Sequence, residues 1–567
     1  MSKKYTDEVN TLILLSLLKK HGIKRVIASP GTTNVSFVAS VQQDSFFEIY
    51  SAVDERVAAF MACGLAEETG EPVVLSCTGA TASRNYIPGL TEAYYMHLPV
   101  LAVTSTQNTK RIGNYVAQVI DRSVQFNDMV KMSINLPTIY SNDEIEYAVT
   151  EVNMALLELN HGQSGPVHIN LATTYSNNFT NDTLPNYRVI KRYNANDILP
   201  EIPKGRIGVF IGAHEKFSNE ETQAIDLFCE RHNAIVICDQ TSNYRGKYRV
   251  LANILNQHNC SFESKTFDLV IHIGYVSGGY ISFRTNQVWR VNADGKVRDL
   301  YRKLTCVFEM DELSFFNTYS TGDDSSDSFL VQCNIDAKKR MSDLKKKEIP
   351  FSNIWIAYKT ANKIPDNSSL HLGILNSLRA WNFFETPNTV MCYANTGGFG
   401  IDGCLSSAIG DALINPNKQV YIVLGDLAFF YDLNSFVNKV PDNLHIMLIN
   451  NGVGTEFKNY SHRCSYFGSD ADLYMAAKSH NGYKSESLVK NLSANLGLEY
   501  YVASDKETYL QCMHKWLNST KKSIIEIFTN DIDESNALKI MHGNKGFLVT
   551  VAKKLKVYGF LKKLLRR

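Results

Sequence analysis

Two short polar pairs, each closing an apolar run, carry the first chemical signal. Val420–Leu424 ends in Gly425-Asp426, and Ile446–Ile449 ends in Asn450-Asn451. The 24 residues between Asp426 and Asn451 suit a crossover from one strand, through a helix, into a parallel neighbour. Both pairs are therefore expected at the carboxyl ends of parallel strands, where open α/β sheets bind ligands. A carboxylate, an amide oxygen and a loop carbonyl are hard oxygen donors, which suit Mg²⁺ shared with a diphosphate. Gly425 lets the backbone approach closely. The bland alternative is two unrelated turns. Glu55, in SAVDERVAAFMACGLA, ends a strand and opens a helix, where a carboxylate also interacts favourably with the helix dipole. Glu456, just past the second pair, reads as an acid/base toward a carbonyl or as a helix-start carboxylate. Arg84, in TASRN, faces either a pocket anion or solvent.

These residues need a scaffold of alternating elements. From Lys24 onward short β-branched runs (KRVIAS, FFEIYSAV, PVVLSC, PVLAVTS, GPVHINLA) alternate with helical periods, the pattern of βαβ units and a parallel sheet. A polar stretch, TTYSNNFTNDTLPNYRV, reads as a linker. A second alternating block opens at RIGVFIGA and a third at SSLHLGI, ending with IIEIFTND. The expected fold class is α/β, with three doubly wound parallel-sheet domains over residues 1–180, 195–320 and 350–532, then a basic tail over 533–567. The length of 567 residues agrees, at about 150 residues per domain. Leu12, Leu15, Leu17 and Leu18 read as one face of an amphipathic helix started near Thr6. The run is too short for a spanning helix and has no cleavage pattern.

Charge and cysteines exclude several classes. With 58 Lys+Arg against 57 Asp+Glu, no global field favours nucleic acid. Eleven scattered cysteines with no CxxC suggest neither a disulfide framework nor a thiolate zinc site, as in a reducing cytoplasm. The final segment, VAKKLKVYGFLKKLLRR, holds seven basic residues and no acid; with the chain at +1 overall, the remainder stands at −6. Its interleaved leucines permit peripheral contact with an anionic membrane, or a solvated helix.

The GD-x24-N pattern resembles the diphosphate and metal motif of thiamine-diphosphate (ThDP) enzymes. Matched by position, the resemblance implies that Asp426, the Asn451 side chain and the Val453 carbonyl hold Mg²⁺, with Gly425 and Leu427 beside the cofactor. Glu55 would donate to the aminopyrimidine N1′ and promote deprotonation of the thiazolium carbon, and Gln118 falls where the family often places an active-site glutamine. The likeness runs along nearly the whole chain, naming the domains pyrimidine-binding, central and diphosphate-binding. Its nearest branch is the 2-succinyl-5-enolpyruvyl-6-hydroxy-3-cyclohexene-1-carboxylate synthases. The SPG turn at Ser29–Gly31, Asp54-Glu55-Arg56, GGFGIDG at Gly397–Gly403 and GDLAFFYDLN carry that likeness. Gly400 and Ile401 would then meet the cofactor, with Ile401 forcing its V shape, and Phe457 would line the substrate pocket.

Departures from that branch concern its arginines. Thr33, Ser105-Thr106-Gln107 and Thr396 stand where it carries arginine, and Arg379 alone matches a carboxylate-gripping one. Each lost arginine removes a contact worth about 1.5–3 kcal/mol. The implied activity is decarboxylation of a 2-oxo acid with carboligation to a second carbonyl or alkene acceptor, catalysed by Glu55, Gln118 and Glu456 on a substrate held by Arg379, Phe457 and Thr33. Alternatives are the synthase itself, a simple decarboxylase and a non-catalytic ThDP binder. The family's shared sites imply a homodimer or homotetramer with active sites at the subunit interface. The central domain has no GxGxxG turn, so no nucleotide is expected there.

Overall fold

The alternation of β-branched runs and helical periods becomes three parallel sheets in the computed structural model, which describes residues 4–255, 265–279, 281–321, 327–480 and 485–543. The described chain divides into two compact units, Met1–Leu199 with Gln287–Met310, and Pro200–Asn286 with Asp311–Arg567. The basic segment at 551–567 lies outside the described residues.

In the first unit the strands are β1 (Arg25–Ala28), β2 (Glu48–Ser51), β3 (Val73–Cys77), β4 (Val100–Thr106), β5 (Met132–Leu136) and β6 (Val167–Ala172). They pair in the order β2-β1-β3-β4-β6-β5. Strands β3, β4 and β6 are buried along their whole length, as a sheet covered on both faces by helices requires. The helix Glu55–Thr69 is capped by Asp54, whose side chain accepts the backbone N–H groups of Arg56 and Val57, and it closes at Gly70 with φ +65°.

The N-terminal helix corrects an expectation. It runs Val9–Lys20, and Asn10–Leu18 are all buried, so it is not amphipathic. Its leucines join the core of β4, β6 and the helix Asn142–Glu158, and its polar residues are absorbed locally. Asn10 Nδ2 donates to the Ala172 carbonyl at 2.7 Å and Ser16 Oγ to the Pro185 carbonyl at 2.8 Å. The polar stretch after β6 is tied down as well. Buried Glu8 accepts from Thr173 Oγ1, Thr174 Oγ1 and the Thr174 N–H through one carboxylate oxygen.

The second sheet gives β7 (Lys191–Asn194), β12 (Arg284–Val291, from Gln287 onward) and β13 (Leu304–Glu309) to the first unit, in the order β12-β13-β7. It gives β8 (Ile207–Ile211), β9 (Ile235–Cys238), β10 (Arg249–Leu251) and β11 (Thr266–Ile273) to the second, in the order β10-β9-β8-β11.

The third sheet lies wholly in the second unit. It comprises β14 (Ser369–Leu372), β15 (Met391–Tyr393), β16 (Val420–Gly425), β17 (Leu444–Asn450), β18 (Glu499–Ala503) and β19 (Ser523–Phe528), in the order β15-β14-β16-β17-β19-β18. This repeats the order of the first sheet. From β14 the chain steps to one side for β15 and to the other for β16, so the crevice between β14 and β16 is a topological switch point. Strands β16 and β17 pair in parallel with Gly425 opposite Ile449, which brings both polar strand ends to the same edge.

Candidate functional site

The third sheet places a cavity of about 210 Å³ at that switch point. The turn after β14 gives it Ile374, Leu375 and Asn376; the end of β16 gives Gly425, Asp426 and Leu427; the loop after β17 gives Asn451, Val453 and Gly454. Ile401 and Phe457 complete the apolar wall. Gly400 adjoins Ile401, and a Cβ there would meet Asp402 Oδ1 at 2.2 Å and displace that side chain. Leu375 holds φ +68° and ψ −118°, a conformation that costs a side-chain-bearing residue about 1–3 kcal/mol and is concentrated at ligand sites.

Asp426 is 2% exposed. Its Oδ1 accepts the Leu427 N–H at 2.8 Å and its Oδ2 the Gly452 N–H at 2.6 Å, so backbone donors hold the carboxylate in place. His480 Nε2 lies 3.5 Å from Oδ2. Asn451 Oδ1 accepts the Val453 N–H at 3.2 Å, which folds the loop so that this amide and residue 453 line the same space. The neighbouring Asn450 points away, donating to Glu526 at 2.7 Å in the core. Asp426, Asn451 and Val453 line one cavity, and a carboxylate with an amide oxygen is the kind of hard donor set that fits a divalent cation.

A larger cavity of about 430 Å³ shares Asn376, Glu456 and Glu534 with the first. Glu456 is the second residue of the short helix Thr455–Lys458, and its Oε1 pairs with Arg379 Nη1 at 2.5 Å. The two residues read separately as catalytic and substrate-binding are therefore one ion pair. Phe457 is half-buried and packs edge-on against His462.

Glu534 was not singled out from the sequence, where it fell in the expected tail. It stands in the first turn of the helix Asp531–His542, directly after β19, and is 8% exposed. Its Oε1 accepts from the Asn353 N–H at 2.9 Å and Thr529 Oγ1 at 2.8 Å. Burial, with the nearby Asp533 and Asp426 charges, pushes its carboxyl up to about 7 against those two donors. The signal that points to it is the position alone, a carboxylate just past the carboxyl end of a central strand.

In the first unit Glu55 is the opening residue of its helix, half-buried, with Asn85 Nδ2 donating to it at 3.3 Å. Gln118 is exposed on a loop, at φ +62°. Thr33 is buried and its hydroxyl is occupied. It lies 2.7 Å from Thr78 Oγ1, donates to the Ser105 carbonyl at 3.2 Å and accepts from the Gly79 N–H at 3.2 Å. It thus ties together the loops after β1 and β3 and the end of β4. Arg84 donates to the Asp121 carbonyl at 3.0 Å. No helix among the described residues is long and apolar enough to cross a membrane.

Residues 11–125 match the family model of the thiamine pyrophosphate enzyme N-terminal TPP binding domain. The chain is similar to the 2-succinyl-5-enolpyruvyl-6-hydroxy-3-cyclohexene-1-carboxylate synthase of Bacteroides thetaiotaomicron, with 29% identity over 578 residues covering 94% of this chain and 98% of that one. The synthase of the same name from Bacteroides fragilis is 28% identical over 576 residues, with the same coverage. That from Flavobacterium psychrophilum is 24% identical over 553 residues, covering 91% and 95%.

Proposed function

The chain is a thiamine-diphosphate-dependent enzyme of the carboligase type, and on that premise we propose that it decarboxylates a 2-oxo acid with Mg²⁺ and joins the remaining fragment to a second carbonyl or alkene acceptor. The observation that carries this reading is the cavity at the β14/β16 switch point, walled by Asp426, Asn451, Val453, Leu427 and Ile401. Bound ThDP supplies a nucleophilic carbon and an electron sink for the carboxylate's departure.

This chain's residues do the rest. Asp426, Asn451 and the Val453 carbonyl would hold the metal. Ile401 and Leu427 give the cavity an apolar wall that would exclude water from a bound cofactor. Glu55 takes and returns a proton at the aminopyrimidine ring. Gln118 and Glu456 remain candidates for orienting the reacting carbonyl.

The reading includes a second copy of the chain, with Glu55 of one subunit and the metal-binding residues of the other forming one site. A stripe of exposed Val57, Phe60, Met61 and Gly64 runs along the Glu55 helix at helical spacing. Such an apolar surface next to a catalytic carboxylate suits a covering partner. A partner would also finish the burial that Glu55 lacks in the single chain.

The relatives raise a second reading, that the chain is itself a 2-succinyl-5-enolpyruvyl-6-hydroxy-3-cyclohexene-1-carboxylate synthase. Against it stand Thr33, Thr106 in the Ser105-Thr106-Gln107 segment, and Thr396, three neutral and buried residues where the resemblance expects arginines. The test is CO₂ release by purified protein with ThDP and Mg²⁺ over a panel of 2-oxo acids, with Glu55→Gln as control and isochorismate among the acceptors. Release abolished by Glu55→Gln supports the enzyme. Product formation from isochorismate selects the second reading.

A further inference from the structure

We infer that the larger cavity beside the diphosphate site selects a 2-oxo acid whose far end is uncharged and hydrogen-bonding, because the cavity's arginine is already neutralised by Glu456. The inference rests on the ThDP reading of the smaller cavity and names the substrate class for it.

The two cavities share Asn376, Glu456 and Glu534, so a molecule reacting over the smaller one extends into the larger. Arg379 is the one Arg or Lys among the described residues lining the larger cavity. Its guanidinium lies 2.5 Å from Glu456, and the two side chains are only 15% and 17% exposed. Asn459 Nδ2 also donates to Glu456, at 3.4 Å, so the carboxylate is held from two sides.

A substrate carboxylate reaching Arg379 meets a guanidinium already paired with Glu456, and taking over that pairing leaves a mostly buried anion without its cation, an expensive exchange. The histidines do not replace the arginine. His462 Nδ1 is engaged by the Cys464 N–H at 3.1 Å, and His542 Nδ1 is 2.7 Å from the Tyr460 hydroxyl. What the wall offers instead is neutral polarity from Asn253, Ser282, Asn459 and Ser461. Hydroxyls and amides suit an alcohol or amide end group.

The test uses full-length protein carrying Glu55→Gln, loaded with ThDP and Mg²⁺, so that ligands bind without turnover. Calorimetry compares 2-oxoglutarate with 2-oxoglutaramate, its analogue in which an amide replaces the far carboxylate. The amide is expected to bind about tenfold more tightly or better. Adding Glu456→Gln releases Arg379 and is expected to tighten 2-oxoglutarate by about tenfold, reversing the order. Removing both charges with Arg379→Gln and Glu456→Gln restores preference for the amide.

Tighter binding of 2-oxoglutarate with Glu456 in place overturns the inference, as does binding of neither acid to ThDP-loaded protein. The comparison with Glu456 intact decides even where the added variants fail to fold. A prior ThDP titration separates the two levels: protein that does not bind ThDP overturns the functional reading, and the inference with it.

Discussion

The Asp426 carboxylate accepts the backbone N–H of Gly452 at 2.6 Å, so the end of β16 is fastened to the turn that follows β17. One oxygen of the side chain proposed to hold the metal thereby positions the loop that presents Asn451 and Val453. The contact joins adjacent strands whose ends the register places level, with Gly425 opposite Ile449.

Asp426→Ala removes both the charge and that fastening. ThDP affinity in the presence of Mg²⁺ is expected to fall by roughly 100-fold, the upper range for loss of a group supporting a metal site. Calorimetric titration of ThDP into the variant reads the effect; an affinity equal to wild type would place the diphosphate elsewhere.

Chelation tests the metal without a mutation. Dialysis against EDTA is expected to abolish ThDP binding, and added Mg²⁺ to restore it, because hard oxygen donors select a hard cation. Undiminished ThDP binding in EDTA would count against the assigned ligands.

Glu55→Gln keeps the Asp54 cap that starts its helix, so the variant is expected to fold and bind ThDP. The rate of CO₂ release should drop by about 10²–10⁴, the range of a lost general acid–base group. Retention of full activity would remove Glu55 from the mechanism.

Glu534 predicts a pH dependence of stability. Its carboxyl is raised to about 7 in the fold, so the folded chain holds this proton more tightly than the unfolded chain does. Its contribution is fully present below the ordinary glutamate range and is lost as pH rises through about 7. Glu534→Gln keeps an oxygen for the Asn353 and Thr529 donors and has no proton to lose. In metal-free protein the variant should gain roughly 3 kcal/mol over wild type between pH 4.5 and 8. Denaturant unfolding at several pH values measures the difference; a constant offset would refute the linkage.

Gly31→Ala probes the turn after β1. A Cβ at Gly31 would meet Thr78 Cβ at 2.3 Å and Cγ2 at 2.8 Å, against the residue that contacts the Thr33 hydroxyl. Overpacking of this kind costs about 1–3 kcal/mol, so the urea midpoint should fall. An unchanged midpoint would mean that the loops after β1 and β3 separate freely.

Much of this protein was determined by local sequence. A 24-residue separation between two polar strand ends permits little besides a parallel crossover, and Gly425-Asp426 and Asn450-Asn451 lie side by side as that spacing requires. Glu55 heads its helix because Asp54 caps it and Gly70 ends it, signals within one stretch of chain. The tertiary structure alone decided which distant residues share a wall. Arg379 and Glu456, 77 positions apart, meet because β14 and β16 flank the switch point while β17 lies beside β16. Glu534 joins them because β19 packs next to β17 and delivers its following helix to the same edge. The N-terminal helix is buried on all sides because the polar chain at 173–189 folds back over it. Periodicity reports which face of an element is apolar, within a few turns of chain. Strand order sets which elements meet, and that depends on the packing of whole sheets, which no local window contains.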